Sequence, residues 1–139
     1  MDMSRRAFLR TASLAVAGTA TGAVAATITT PASAATRVSG GSFKGLSRHI
    51  TTGNVELVRD GNTIRVILQD DFSFDGAPDP KVGFGHNGFS RGTLIGKLKS
   101  NNGRQSYTVP ARLNVADYNE VYIWCERFNV PLGVAKLRG

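Results

Sequence analysis
The sequence predicts an all-β fold, a single small antiparallel β-sandwich or barrel spanning residues 41–138. Three observations predict it. Short runs of β-branched and aromatic residues recur at regular intervals through this region. Two intervals carry tight-turn signals, Asp60-Gly61 and Asn101-Asn102-Gly103. No segment in the region holds the apolar period of an amphipathic helix.

The first 34 residues read as targeting rather than fold. Ser4-Arg5-Arg6-Ala7-Phe8-Leu9-Arg10 is a twin-arginine signature, and a mild apolar run follows from Thr11 to about Ala26. Pro31-Ala32-Ser33-Ala34 supplies an A-x-A-like cleavage site, so cleavage is expected after Ala34. The run is too short and too rich in small residues for a membrane span. No Cys stands at the cleavage site, so no stable membrane anchor is expected. The expected destination is outside the cytoplasm by the twin-arginine (Tat) route: secreted, periplasmic or attached to the cell envelope. That route exports chains already folded.

Residues 35–40 are small and polar and read as a flexible lead-in. A first, weak strand is expected around Phe43–Ile50, then a turn at Thr51-Thr52-Gly53. Val55–Arg59 and Thr63–Gln69 form a hairpin around Asp60-Gly61, with Ile64, Val66 and Leu68 on one face. That phase continues through Phe72 and Phe74, and an irregularity is expected at Asp70-Asp71. Lys81–Phe84 reads as a short strand and Gly85–Gly92 as a Gly-rich loop. Thr93–Lys99 and Gln105–Val109 read as a second hairpin. Asn114–Asn119 is a loop or a single helical turn. Glu120–Phe128 is the richest strand signal, with the only Trp and the only Cys of the chain. Alternation puts Val121, Ile123 and Cys125 on a core face and Tyr122, Trp124 and Glu126 on the other. Pro131–Leu137 is the last strand.

Composition narrows the function. The whole chain carries 17 Lys and Arg against 10 Asp and Glu, a formal charge of +7. The basic residues are scattered, and no nucleic acid partner is expected of an exported domain. One Cys cannot close an intramolecular disulfide. Both Met residues, Met1 and Met3, precede the cleavage site. Met/His haem ligation is thereby excluded, and the lack of a Cys-x-x-Cys-His motif excludes covalent haem. Thiolate or His-plus-Cys haem ligation stays open, with His49 as the axial partner of Cys125. The blue-copper ligand types are present in His49, His86 and Cys125, but no His follows the Cys. Tetrahedral zinc would need a carboxylate as its fourth ligand. Asp71-x-Ser73-x-Asp75-Gly76 opens like an EF-hand, yet its twelfth position is Val82. Only a looser cation site from Asp70, Asp71, Asp75 and Asp79 remains. Gly83-x-Gly85-x-x-Gly88 lacks the βαβ unit that a dinucleotide fingerprint requires, and no hydrolase motif is present.

The spacing of specific residues resembles the DM-thirteen domain family. Gly41-x-Phe43, His49-x-x-x-Gly53, Asp71-Phe72, Gly76-x-Pro78-Asp79 and Gly96-x-Leu98-Lys99 carry the likeness. Gly103-x-Gln105-x-Tyr107-x-x-Pro110 continues it. Tyr118-x-x-Val121-x-Ile123-Trp124-Cys125-x-x-Phe128 and Ala135-x-Leu137 complete it, over about Gly40 to Leu137. The resemblance implies an extracellular, β-rich domain, found in animals beside DOMON domains. It also implies electron transfer centred on the single Cys, as a bare redox thiol or a haem ligand. The leading expectation is therefore electron transfer or thiol redox at Cys125, with Trp124 and His49 as neighbours and an extracellular redox protein as partner to a monomer. The other reading is a small extracellular binding module in which Cys125 and Trp124 only build the fold.

Overall fold
The structure, a computed structural model, describes residues 35–139. The twin-arginine signature, with Arg5 and Arg6, and the cleavage position at Ala34 lie outside the described residues. Ten strands follow in chain order: β1 (Thr36–Gly45), β2 (Thr51–Thr52), β3 (Asn54–Asp60), β4 (Thr63–Leu68), β5 (Ser73–Phe74), β6 (Pro80–Gly85), β7 (Gly96–Lys97), β8 (Gln105–Val109), β9 (Glu120–Cys125) and β10 (Val130–Lys136). A short 3-10 turn, Val115–Asp117, precedes β9 and is capped by the Asn114 side chain.

Eight strands form one antiparallel sheet in the order β7-β6-β9-β10-β1-β3-β4-β8, and β2 pairs separately with β5. The sheet curls until its edges almost meet, so the predicted all-β antiparallel class stands, on the barrel side. The seam is closed by side chains instead of a ladder. Lys99 N–H donates to the Tyr107 hydroxyl at 2.8 Å, and Lys99 Nζ donates to the Ser106 carbonyl at 2.6 Å. The inward faces of the strands supply one core. It contains Val55 and Leu57 of β3, Val66 and Leu68 of β4, Val82 and Phe84 of β6, Val121, Ile123 and Cys125 of β9, and Leu132 and Ala135 of β10. Each large apolar side chain buried there contributes about 1.5–3 kcal/mol.

The Asp60-Gly61 signal is met. Asp60 pairs with Thr63, and Gly61 takes the positive φ of 65° that a two-residue turn needs. Phe72 and Phe74 are buried, as their phase predicts. The irregularity at Asp70-Asp71 is a turn after β4, closed by Phe72 N–H on the Gln69 carbonyl.

Three expectations are corrected. Residues expected as a lead-in are strand from Thr36 onward, because Thr36–Ser42 pair with Arg59–Asn54 of β3. That pairing is made by backbone, so Ser39, Gly40 and Gly41 leave little side-chain signal of it. The first strand ends at Gly45, because Ser47 and Arg48 take positive φ and turn the chain. Thr93–Lys99 yields only the two-residue β7, which pairs with β6, while β8 pairs with β4. The Asn101-Asn102-Gly103 turn therefore carries the chain across the barrel seam and closes no hairpin.

Candidate functional site
The alternation of β9 decides what its side chains can do. Val121, Ile123 and Cys125 point inward, each no more than 1% exposed. Cys125 stands between Pro80 of β6 and Val130 of β10. Trp124 points outward and is half-buried, with Tyr122 beside it. Phe89, from the Gly-rich loop after β6, lies flat on Trp124 with ring centroids 3.8 Å apart and planes 9° apart. Tyr122 meets both rings edge-on, at 5.7 Å from Phe89 and 6.1 Å from Trp124. The two edge-on contacts of Tyr122 are a favoured aromatic geometry.

The loop is held so that Phe89 cannot drift. Asn87 N–H donates to Asn119 Oδ1, and Asn119 Nδ2 donates back to Asn87 Oδ1, both at 3.0 Å. Gly88 N–H donates to the buried Glu120 carboxylate at 2.8 Å. Ser90 N–H donates to the Phe84 carbonyl. The Thr93 hydroxyl joins Phe84 and Ser90 from within. Gly85 is required at the loop's root, because a Cβ there would collide with the Gly88 carbonyl and the Tyr122 ring. Burial, and then the Glu120 carboxylate, push the Tyr122 phenol above its ordinary value, so it stays a neutral donor.

Two clefts of about 370 and 380 Å³ flank the stacked pair and share Phe89, Arg91, Trp124 and Asn129. The first adds Leu46, Tyr122 and Pro131 as an apolar wall. The second adds Leu94, Arg112 and Glu126. Arg112 Nη1 donates to the Gly92 carbonyl at 2.8 Å. Among the described residues, neither Arg91 nor Arg112 is in an ion pair. Glu126 is taken by Lys81, which also lies 3.8 Å from Asp79. The arrangement is a stacked aromatic pair with Arg91 and Arg112 lining the clefts beside it. A larger groove of about 660 Å³ runs past Arg37, Asn54, Glu56 and Asp71. Of its polar groups, Arg37 is paired with Glu56 and Asn54 with Asp71.

The residues expected to carry chemistry are dispersed. Cys125 is a core residue, and none of these clefts is lined by it. A haem on Cys125 would need its sulfur at a cavity wall; the residues present do not fit a haem there. His49 Nδ1 lies 2.8 Å from Asp75 Oδ1, with its ring tilted against Phe74. Asp71 accepts from the Asn54 N–H and side-chain amide. Asp79 faces Lys81, and Asp70 is exposed. Asp71, Asp75 and Asp79 therefore serve separate local contacts, and Asp70 joins none of them. Among the described residues, no three His, Cys, Asp or Glu side chains gather to hold a metal ion.

The His49–Asp75 pair has a pH consequence. The His49 ring, and then the Ile50 N–H, hold the Asp75 carboxyl below its ordinary value of 3.8. A carboxyl lowered on folding adds stability that is complete above its unfolded value and is lost as pH falls through the native one. Wild type is expected to melt above Asp75→Asn at neutral pH, with the gap closing as pH drops below 3.8. Thermal melts along a pH series check this; a gap that persists in strong acid would show that the pair is not the cause.

Sequence reasoning placed Trp124 outward but passed over Phe89, Arg91 and Arg112. A single aromatic in the middle of a Gly-rich loop was the signal available. The profile of the family described as Electron transfer DM13 matches residues 42–137. No curated protein and no solved structure matches.

Proposed function
Because the chain belongs to the Electron transfer DM13 family, we propose that it is an exported electron-transfer domain that works through its Trp124–Phe89 face. The observation that carries this is the contrast within one strand: Cys125 is 1% exposed, while its neighbour Trp124 stands at the surface under Phe89. Disulfide exchange and oxidation to sulfenic acid both need a thiolate that a reagent can reach. Cys125 offers none in the closed fold. The redox-active group is then supplied by what docks on the aromatic face, and the chain's own residues bind and orient it. The twin-arginine signature supports delivery of the folded domain beyond the cytoplasm.

The test uses protein isolated from its own envelope or medium. Visible absorption and voltammetry are expected to show a redox response that persists in Cys125→Ala and disappears in Trp124→Ala. Loss of the response in a folded Cys125→Ala protein would make the thiol the centre. No response in wild type would favour the second reading, a binding module without redox chemistry, which the packing of Cys125 among apolar side chains also supports. Export is tested separately. Replacing Arg5 and Arg6 by Lys is expected to leave uncleaved precursor in the cytoplasm, read by fractionation; unimpaired secretion would overturn the export reading.

A further inference from the structure
We propose that the outer face of β1 and β10 binds a phosphate-bearing polymer, a chain with several anionic groups in succession, through Lys44, Lys136 and Arg138. The inference goes beyond the electron-transfer reading and uses a different face of the barrel.

Register brings the three cations together. Phe43 pairs with Ala135, and both are buried. Their neighbours Lys44 and Val134, which pair with each other, therefore face outward. Lys136 follows Val134 by two residues and returns to the same face. Arg138, two further on, bridges to Gly40 of β1. Alternate residues on a strand lie roughly 6.6 Å apart, and diagonal neighbours across strands roughly 7–8 Å apart. The three positions thus form a short bent row. They line an open cleft of about 380 Å³ whose other walls are Gly41, Ser42 and Val134. Ligand sites span roughly 300–1,000 Å³.

The charge is one-sided. No carboxylate lines this cleft. Among the described residues, none of its three cations is in an ion pair. Glu120 faces Lys136 across β9, but it is buried and accepts from Gly88 N–H. Arg138 also borders the larger polar groove, where Glu56 and Asp71 are held by Arg37 and Asn54, and Asp70 makes no ion pair with it. Like charges set side by side on a sheet repel, and no group of the chain relieves these three. A polyanion would. A guanidinium grips phosphate through paired N–H donors, and an ammonium meets it as a point charge. One orthophosphate reaches one or two of the positions; a chain of phosphates meets all three. No aromatic side chain lines the cleft for a base to stack on, which disfavours nucleic acid. No large exposed apolar side chain lines it to enter a bilayer either; the exposed Ile50 and Phe128 stand on loops.

The experiment titrates the folded protein with long-chain inorganic polyphosphate, with orthophosphate and with phosphatidylglycerol vesicles, by calorimetry at several salt concentrations. Polyphosphate is expected to bind saturably, and at least about tenfold more tightly than orthophosphate, as one further charge-assisted contact implies. Its affinity should fall with salt at a log–log slope of about −2, taking roughly 0.7 for each phosphate contact on a single strand. Lys44→Gln, Lys136→Gln and Arg138→Gln should each weaken binding and make that slope shallower by about 0.7. Their melting temperatures should be unchanged, or raised at low salt where the repulsion is relieved. Lys97→Gln and Arg59→Gln remove exposed cations outside the cleft and should leave binding unchanged. Equal weakening by those two would show attraction to net charge alone and overturn the site. Orthophosphate binding as tightly as polyphosphate would overturn the chain claim. Vesicle binding without polyphosphate binding would put a lipid surface in the polymer's place and overturn the proposal. Loss of binding seen only together with a lowered melting temperature would overturn it as well, since the cause would then be the fold.

Discussion

Cys125 is expected to resist thiol reagents in the native protein and to react fully once the chain is unfolded. The thiol is 1% exposed and lies in the apolar cluster between β6 and β10. A reagent reaches it only when the end of β9 leaves both neighbouring strands. Openings of core strands approach the global stability of a small domain, about 5–15 kcal/mol. Labelling should therefore be slowed at least about a thousandfold in native buffer relative to denaturant, since each 1.4 kcal/mol is a factor of ten. A reagent that absorbs on release of its leaving group measures both rates on one sample. The same packing predicts that Cys125→Ala costs only about 1 kcal/mol, as a small apolar side chain lost from a core. Fast stoichiometric labelling in native buffer would mean that the strand end beside the Glu126–Asn129 turn opens readily. Thiol redox chemistry at Cys125 would then return as the leading reading.

Phe84→Ala is expected to remove about 3–5 kcal/mol, a large share of the whole stability. Phe84 is fully buried on β6, paired with Val121 of β9, and its ring stacks on Tyr118 at 5.6 Å. Truncation loses that packing and leaves a cavity that the strands on either side cannot close. The effect reaches the surface as well. The Phe84 N–H and carbonyl hold Thr93, and the carbonyl also receives Ser90 N–H at the end of the Phe89 loop. Denaturant titration should show a lower midpoint with the slope unchanged. Trp124 emission of the folded variant should move toward that of solvent-exposed indole as Phe89 loosens. A loss under about 1 kcal/mol would show that the site collapses without penalty, contrary to the packing seen here.

The readable parts of the chain share a property. Strand β9 announces itself because alternation sends Val121, Ile123 and Cys125 one way and Tyr122 and Trp124 the other. The β3–β4 hairpin is readable because Gly61 is next to the residues it reverses. In both cases the information is local. Strand β1 leaves little sequence signal because Gly40 and Gly41 are needed where neighbouring backbone comes close. The β7–β8 region was misread because two runs joined by a Gly turn look like a hairpin whether or not they pair. Phe89 looked like a loop residue because nothing near it in sequence says that Trp124 lies beneath it.

By itself, then, the sequence determined the all-β class, the two faces of β9, the absence of an intramolecular disulfide and the likeness to a family. These follow from residue types, counts and spacings along the chain. The tertiary structure alone decided that Cys125 is sealed from solvent at 1% exposure, that Phe89 stacks on Trp124, that His49 serves Asp75, and that Arg91 and Arg112 line the clefts beside that pair. Those relations depend on which strands become neighbours. That choice is made by the summed burial and pairing of the whole barrel, so no short stretch of sequence records it.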